Sequence, residues 1–355
     1  MKLIYLASAI FLLFANNNLS AQGCVAIKGI SGTCSRPSDS KSWELNLNSR
    51  YFKSYKHYVG TKEQKQRVDS STNVINHAFE LDITATRTLN SRWSLSMTLP
   101  VLSFGRSSLY EHDGKTRHST HSFGIGDIRL SAYRWILNPS TSHKGNIQLG
   151  IGLKLPTGNF NYQDYFYKKA DSSVLGAVDQ SIQPGDGGTG VTVELNSYYL
   201  ISHKVSFYGS GFYLINPREV NGTSTTRGGV ASATAKKYNT DVMSVPDLYM
   251  FRSGISYMSK KITIAGGVRI EGLPAKDLTG GSRGFRRPGY IISAEPSFTF
   301  TNKKTSFNLA VPVAIKRSRT QSNADKRRTV DTGTHQQGDA AFADYLISAG
   351  VIFKL

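Results

Sequence analysis

The stretch AAFADYLISAGVIFKL, residues 340–355, decides how the rest of the chain is read. From Ala341 to Leu355 every odd position is apolar or small, whereas Asp344, Ser348, Gly350 and Lys354 fall on even positions. Period-two alternation belongs to a strand with one face in apolar surroundings and the other in polar ones. The aromatic Phe353 sits near the end of that pattern. A strand of this kind placed last must pair with the first if no edge is to stay open in an apolar medium. The expectation is an all-β chain closed into a transmembrane antiparallel up-and-down barrel.

The front of the chain agrees with export. Lys2, the apolar run Leu3 to Ala15, the polar Asn16 to Ser20 and the small Ala21 have the layout of a signal peptide, residues 1–21. No later run of eighteen apolar residues offers a spanning helix, so a membrane would be crossed by strands. A content of 18 Tyr, 17 Phe and 33 Gly suits such strands. Residues 22–42 form an N-terminal segment placed either in the periplasm or in the barrel as a plug. It carries Cys24 and Cys34, close together in an oxidising compartment, and the expected link is a local disulfide. Two thiols alone make a poor metal site, so no metal and no cofactor are expected. The barrel is assigned to residues 43–355.

Walking the chain by parity gives about twelve strands, an even number as single-chain bacterial barrels have. Trp43, Leu45, Leu47 and Tyr51 oppose Glu44, Asn46, Asn48 and Arg50; Phe79, Leu81 and Ile83 oppose Glu80, Asp82 and Thr84. A hairpin continues through Trp93, Leu95, Met97, Leu99 and Val101. Ile128, Leu130 and Ala132 begin the next strand, Ile147 to Leu155 another, and later ones lie near 190–202, 204–216, 247–258, 261–272, 289–301, 305–315 and 340–355. Links near 90–92, 138–145, 202–204, 259–261 and 301–304 are short, while those near 53–75, 103–123, 157–188, 217–246, 273–288 and 316–339 are long. Short turns belong in the periplasm and long loops outside the cell, so the expected location is the outer membrane of a Gram-negative bacterium.

A formal net charge of +19 would ordinarily suggest nucleic acid as a partner. Export and placement exclude that class here. Lys236, Lys237, Arg283, Arg286, Arg287, Lys316, Arg317, Arg319, Lys326, Arg327 and Arg328 fall in or beside long loops. Basic loops at a phosphate-bearing surface favour outer-membrane lipid and glycolipid as partners.

By parity the inward residues include Glu44, Arg50, Glu80, Asp82, Asp127, Arg129, Lys154, Glu194, Arg252, Arg269, Glu271, Glu295, Asp344 and Lys354. Two readings stay open: a charged pore that orients a polar solute, or a network of ion pairs that stiffens the wall. A second pattern lies at the tops of the descending strands. Gly126-Asp127, Gly185-Asp186, Pro246-Asp247 and Gly338-Asp339 place aspartates at one height, and Arg286 and Arg287 precede the tenth strand. These residues form an expected ring at the extracellular mouth. In one reading Arg286 or Arg287 crosses to the ring aspartates and holds the long loops over the pore, with a bound divalent cation as a variant. In the other, Gly-Asp is ordinary turn chemistry.

His118, Ser119, His121 and Ser122 bear on catalysis, but at the end of a long loop they have no identifiable orienting acid or oxyanion donor, and no enzyme activity is expected. Tyr162, Tyr165, Phe166 and Tyr167 suggest a loop folded inward, a stacking surface for carbohydrate, or aromatics of the membrane edge.

At GIGDIRL (124–130) and GIGLKLPTG (150–158) the chain resembles the outer-membrane barrel family associated with the meta-pathway of phenol degradation, described as transporters. DQSIQPGDGG (179–188), GFRRPGY (284–290) and GDAAFADY (338–345) are similar to a subgroup of barrels without assigned function. The resemblance implies a channel or transporter for small solutes, including small organic compounds, and supplies no binding residues. The rival expectation is a closed structural or interaction barrel whose basic loops bind surface glycolipid or a partner protein.

Overall fold

The computed structural model describes residues 41–142, 144–169 and 171–355. The signal segment 1–21, residues 22–40 and the Cys24–Cys34 link lie outside these described residues.

Twelve strands close into one barrel: β1 (Trp43–Val59), β2 (Ile75–Thr88), β3 (Trp93–Ser108), β4 (His118–Ile125 and Arg129–Trp135), β5 (Gly145–Lys154), β6 (Gly190–Leu200), β7 (Val205–Ile215), β8 (Leu248–Met258), β9 (Ile262–Leu273), β10 (Gly289–Asn302), β11 (Thr305–Ala310 and Val313–Arg319) and β12 (Ala340–Lys354). Each pairs antiparallel with the next, and β12 returns to β1 with Phe353 opposite Leu45, Val351 opposite Leu47 and Ser348 opposite Arg50. Trp43, Phe79, Trp93, Met97, Ile151, Phe207, Ile264 and Phe298 are exposed around the outside. A continuous apolar exterior over a charged interior is stable only with lipid against it, so the barrel spans a membrane.

One end carries the short turns 89–92, 136–144, 201–204, 259–261 and 303–304, and the other the long connections 60–74, 109–117, 155–189, 216–247, 274–288 and 320–339. On the long side the strands run farther than alternation indicates. β1 continues to Val59 and β3 to Ser108, β4 starts at His118, and β11 reaches Arg319. Above the lipid the outer face no longer needs apolar residues, as Lys53, Ser103, Gly105 and His121 show. The parity signal therefore fades while the hydrogen-bonded ladder goes on.

Two seams interrupt the wall. β4 breaks at 126–128, and β11 breaks at Val311 and Pro312, where proline has no N–H to give the ladder. Above that break β11 stays paired with β10 but shares only Val313 opposite Tyr345 with β12. β12 also slips register against β1 between Phe52 and Lys56. A bulge of this kind resets which residues face inward. Asp344 sits at it, accepting from Tyr55 Oη at 2.8 Å and pairing with Lys56 at 2.9 Å and with Arg317 at 2.5 Å. Parity alone puts Asp344 on the lumen wall; the structure uses it to tie β1, β11 and β12 together. The Arg317 Nε donates to the Ala343 carbonyl at 2.9 Å, replacing part of the missing ladder.

Candidate functional site

The lower half of the lumen is lined by ion pairs within and between its strands. Arg50 is buried between Glu80 and Asp82, with Asp82 at 3.2 Å and Glu80 bonded more closely. Around the barrel, Arg252 stands directly opposite Arg269. Like charges in that register repel, and carboxylates offset the repulsion. Glu295 accepts from Arg252 Nε at 2.7 Å and from Arg269 at 3.4 Å, while Glu271 takes Arg269 at 2.6 Å. Glu194 accepts the Tyr133 hydroxyl at 3.0 Å and that of Ser131 at 3.4 Å. Glu44 is half-buried near the periplasmic end, in register with the exposed Lys354. Arg129 lies over the Phe212 ring at 5.4 Å.

One rung above Arg50 the wall changes character. Phe52, Ala78, Phe104 and Leu346 come from β1, β2, β3 and β12, with Leu102 beside them, and all are buried. They pack against Val178 and Ile182, which belong to the long connection 155–189, and Tyr162 covers the cluster. Full burial of side chains of this size contributes about 1.5–3 kcal/mol each. Part of an extracellular connection is therefore folded into the bore and seated on an apolar shelf. Strict alternation misses this shelf because it assigns apolar residues to lipid. The signal was present where both parities are apolar at once, as in Pro100-Val101-Leu102 and Tyr345-Leu346-Ile347.

A third layer holds the loop tip from above. Asp179 caps the short turn Gln180–Ile182 through the backbone N–H of Ser181 at 3.0 Å and its hydroxyl at 2.7 Å. The same carboxylate faces three guanidiniums: Arg287 at 3.0 Å by one nitrogen and closer by another, Arg106 at 3.5 Å and Arg227 at 3.7 Å. Glu111 completes the cluster, taking Arg106 at 2.7 Å and Arg227 at 2.8 Å. Burial alone would raise the Asp179 carboxyl, but Arg106 and Arg287 outweigh it and hold it well below the usual carboxylate range. Glu111 is likewise lowered against its burial by Arg106 and Arg227. Ser122 on β4 donates to the Ile182 carbonyl, and Gln183 binds back to Val178 O at 2.8 Å and Tyr162 N at 2.8 Å.

The root of the loop is fixed by the motifs that carry the family resemblance. Asp127 accepts the backbone N–H groups of Gly158 at 3.0 Å and Asp186 at 3.2 Å, while Lys154 reaches Asp127 at 3.5 Å and Asp186 more closely. Thr157 accepts from Ile128 N and donates to Gly126 O, both at 2.9 Å. The two limbs meet at Gly158 and Gly185, where a Cβ on Gly185 would lie 2.3 Å from the Gly158 oxygen. Only glycine permits that approach.

Of the remaining mouth residues, Arg286 is buried on Asp277 at 2.6 Å and Arg287 binds Asp179, and the Arg287 charge also helps to lower the Asp339 carboxyl. Asp247 accepts Asn216 N at 2.8 Å, Leu278 N at 2.9 Å and the Tyr213 hydroxyl at 3.1 Å. Asp339 pairs with His57 at 3.0 Å and Arg67 at 2.7 Å. With these oxygens occupied, no group of three or more His, Cys, Asp or Glu among the described residues is placed to hold a metal ion.

His118, Ser119, His121 and Ser122 lie on β4 rather than in a loop. His118 stacks on Tyr167 with centroids 4.3 Å apart, the His121 N–H donates to Asp164 at 2.7 Å, and Ser122 binds the loop. Phe166 is fully buried and stacks on His112, Tyr162 turns toward the shelf, and Tyr165 is exposed.

No protein-family model and no curated protein matches the chain. Among solved structures it is similar to an outer membrane channel from Pseudomonas putida F1, with TM-score 0.60 and 12% identity, covering 92% of this chain and 100% of that one. It is also similar to the translocator domain of the autotransporter NalP from Neisseria meningitidis, with TM-score 0.44 and 9% identity, covering 89% of each chain. At these identities the likeness establishes the fold: a twelve-strand barrel of the outer-membrane type.

Proposed function

We propose that the protein is an outer-membrane channel for passive passage of small solutes, gated from the outside by the connection 155–189. One observation carries this reading: the bore is filled by a loop tip held at Asp179 by charges from other segments. A wall that needed only filling could use its own side chains. A loop anchored at its root by Asp127 and at its tip by Asp179 can leave the lumen without disturbing a single strand pair. The fold likeness to an outer membrane channel supports the same reading. The resemblance at GIGDIRL and GIGLKLPTG extends it to small organic compounds.

A second reading rests on the loop cations. Tyr238 is buried under Lys237, Arg327 and Arg328, whose charges lie 5.1, 5.8 and 5.0 Å from its ring. This contact joins the connections 216–247 and 320–339 into one basic surface suited to glycolipid phosphates. Planar-bilayer recordings and liposome swelling with a graded solute panel separate the two. The channel reading expects small, frequently closing steps and a size cut-off. Silence with every solute and voltage would remove it and leave the closed interaction barrel.

A further inference from the structure

The two ends of the barrel treat their cations differently. At the long-loop end Arg67 pairs with Asp339, Lys237 with Asp331 and Arg283 with Glu219. The five short turns, which face the periplasm, contain no aspartate or glutamate, and each ends in a cation: Arg92, Lys144, Lys204, Lys261 and Lys304. Among the described residues none of these five has an ion pair. A rim of one sign that the chain leaves unneutralised attracts anions.

Along β1 to β4 this rim also has a defined geometry. Trp43 on β1 stands opposite Arg87 on β2, and Trp93 on β3 opposite Arg134 on β4, with Leu95 opposite Arg87 between the two pairs. Trp43, Trp93 and Leu95 are exposed on the outside of the barrel, and residues directly opposite them share that face. Each guanidinium lies over its tryptophan ring at 5.3 Å, and among the described residues neither arginine has a hydrogen bond or an ion pair. A guanidinium held by its face keeps its N–H edge free, and that planar fork matches phosphate oxygens. Tryptophans at a membrane edge sit at the depth of the headgroups, so both forks lie where lipid phosphates are. Leu95 and Met97 continue the exposed apolar surface from there toward the middle of the bilayer.

We propose that the outer face of β1 to β4 at the periplasmic rim binds an anionic phospholipid, its headgroup between Arg87 and Arg134 and an acyl chain along Leu95 and Met97. Arg92, in the turn that joins β2 to β3, adds a third cation to the same arc. A zwitterionic phospholipid brings its own ammonium against these arginines and is disfavoured. The site lies on the outside of the wall and holds whether or not the bore conducts.

The test uses the full chain reconstituted in mixed bilayers of dioleoylphosphatidylglycerol and dioleoylphosphatidylethanolamine, with bromine on the acyl chains of one lipid or the other. Trp43 and Trp93 are two of the three tryptophans and the third, Trp135, is buried, so quenching of tryptophan fluorescence reports the lipid at this site. The wild type should select phosphatidylglycerol about tenfold over its mole fraction, the scale that two interfacial cations supply. Arg87→Gln with Arg134→Gln should bring the selection down to the mole fraction, and Arg87→Lys with Arg134→Lys should keep part of it. Lys260→Gln with Lys261→Gln removes the same charge from a different arc of the rim and should leave the selection unchanged. No selection in the wild type, an unchanged selection in a heat-modifiable, folded Arg87→Gln and Arg134→Gln protein, or an equal loss in the two glutamine pairs would overturn the proposal. Loss of the selection on adding glycerol 3-phosphate would also overturn it, since the site would then take free phosphate rather than lipid.

Discussion

The lower and upper halves of the lumen use the same chemistry to opposite ends. Below the Phe52 rung, Arg50 with Glu80 and Asp82, and Arg269 with Glu295, join strands that already share a ladder. Their partners sit on rigid backbone, and the pairs stiffen the wall. Above that rung, Arg106, Arg227 and Arg287 converge on Asp179, which belongs to a connection rather than to the wall. Here ion pairs hold a connection, not the wall, in place. A charged barrel interior is thus not one feature: what matters is whether both partners of a pair are bound to the ladder.

Replacing Asp179 should break this contrast most severely. Asp179→Asn leaves three buried or half-buried guanidiniums facing a neutral amide, and removing one partner of a buried pair costs about 3–5 kcal/mol. Because no strand pair is touched, the cost falls on the seated loop, and single-channel conductance should rise several-fold with unchanged strand content by circular dichroism. Second in size is the double change Val178→Ser and Ile182→Ser, which removes the apolar seat and keeps the charges. It should raise open probability without reaching the conductance of Asp179→Asn. Glu295→Gln tests the other half. It leaves Arg252 and Arg269 incompletely neutralised, so reversal potentials should move toward anion selectivity while gating stays as in the wild type.

The smallest expected effects concern pH. Asp179 and Glu111 have depressed folded values. Their contribution is therefore complete above the unfolded carboxylate values near 4 and is lost only as pH falls through the lower folded values. These two carboxylates therefore add no pH dependence to gating from about pH 5 to 8. His112 behaves in the opposite sense: burial, and then His118, lower its value, so its neutral form is the one the fold prefers. Its contribution is full above about 6.5 and declines as pH falls below that. The hairpin of Gln163–Lys169 and Ser172–Ala177, whose Tyr167 N–H donates to His112 at 3.1 Å, should become more susceptible to proteolysis between about pH 7 and 5. His112→Gln should remove that dependence.

Much of the barrel was legible because lipid imposes a period of two on every strand it touches. Leu45, Leu47, Phe79, Met97 and Ile151 declare their face, and Arg50 or Glu80 follow by parity. Legibility fails where that constraint ends. Above the membrane β1 and β3 continue without alternation, and at the bulge facing Asp344 the parity itself resets. The apolar shelf was hidden because Leu102 and Phe104 lie on the inward parity, where polar residues are expected, and Phe104 falls in the stretch 103–123 that the sequence assigns to a loop. The contact at Asp179 was not legible. The sequence offers Arg286 or Arg287 crossing to the ring aspartates Asp127, Asp186, Asp247 or Asp339, whereas the Asp179 that Arg287 binds lies within a connection whose path no local pattern encodes.

The most direct test is a paired single-channel recording of wild type and Asp179→Asn in planar bilayers at pH 7, with Asp179→Glu as the charge-retaining control. The account predicts low conductance with frequent closures for the wild type and for Asp179→Glu, and a larger, steadier conductance for Asp179→Asn. Equal conductance in all three would contradict it, since the loop would then occupy the bore without gating it.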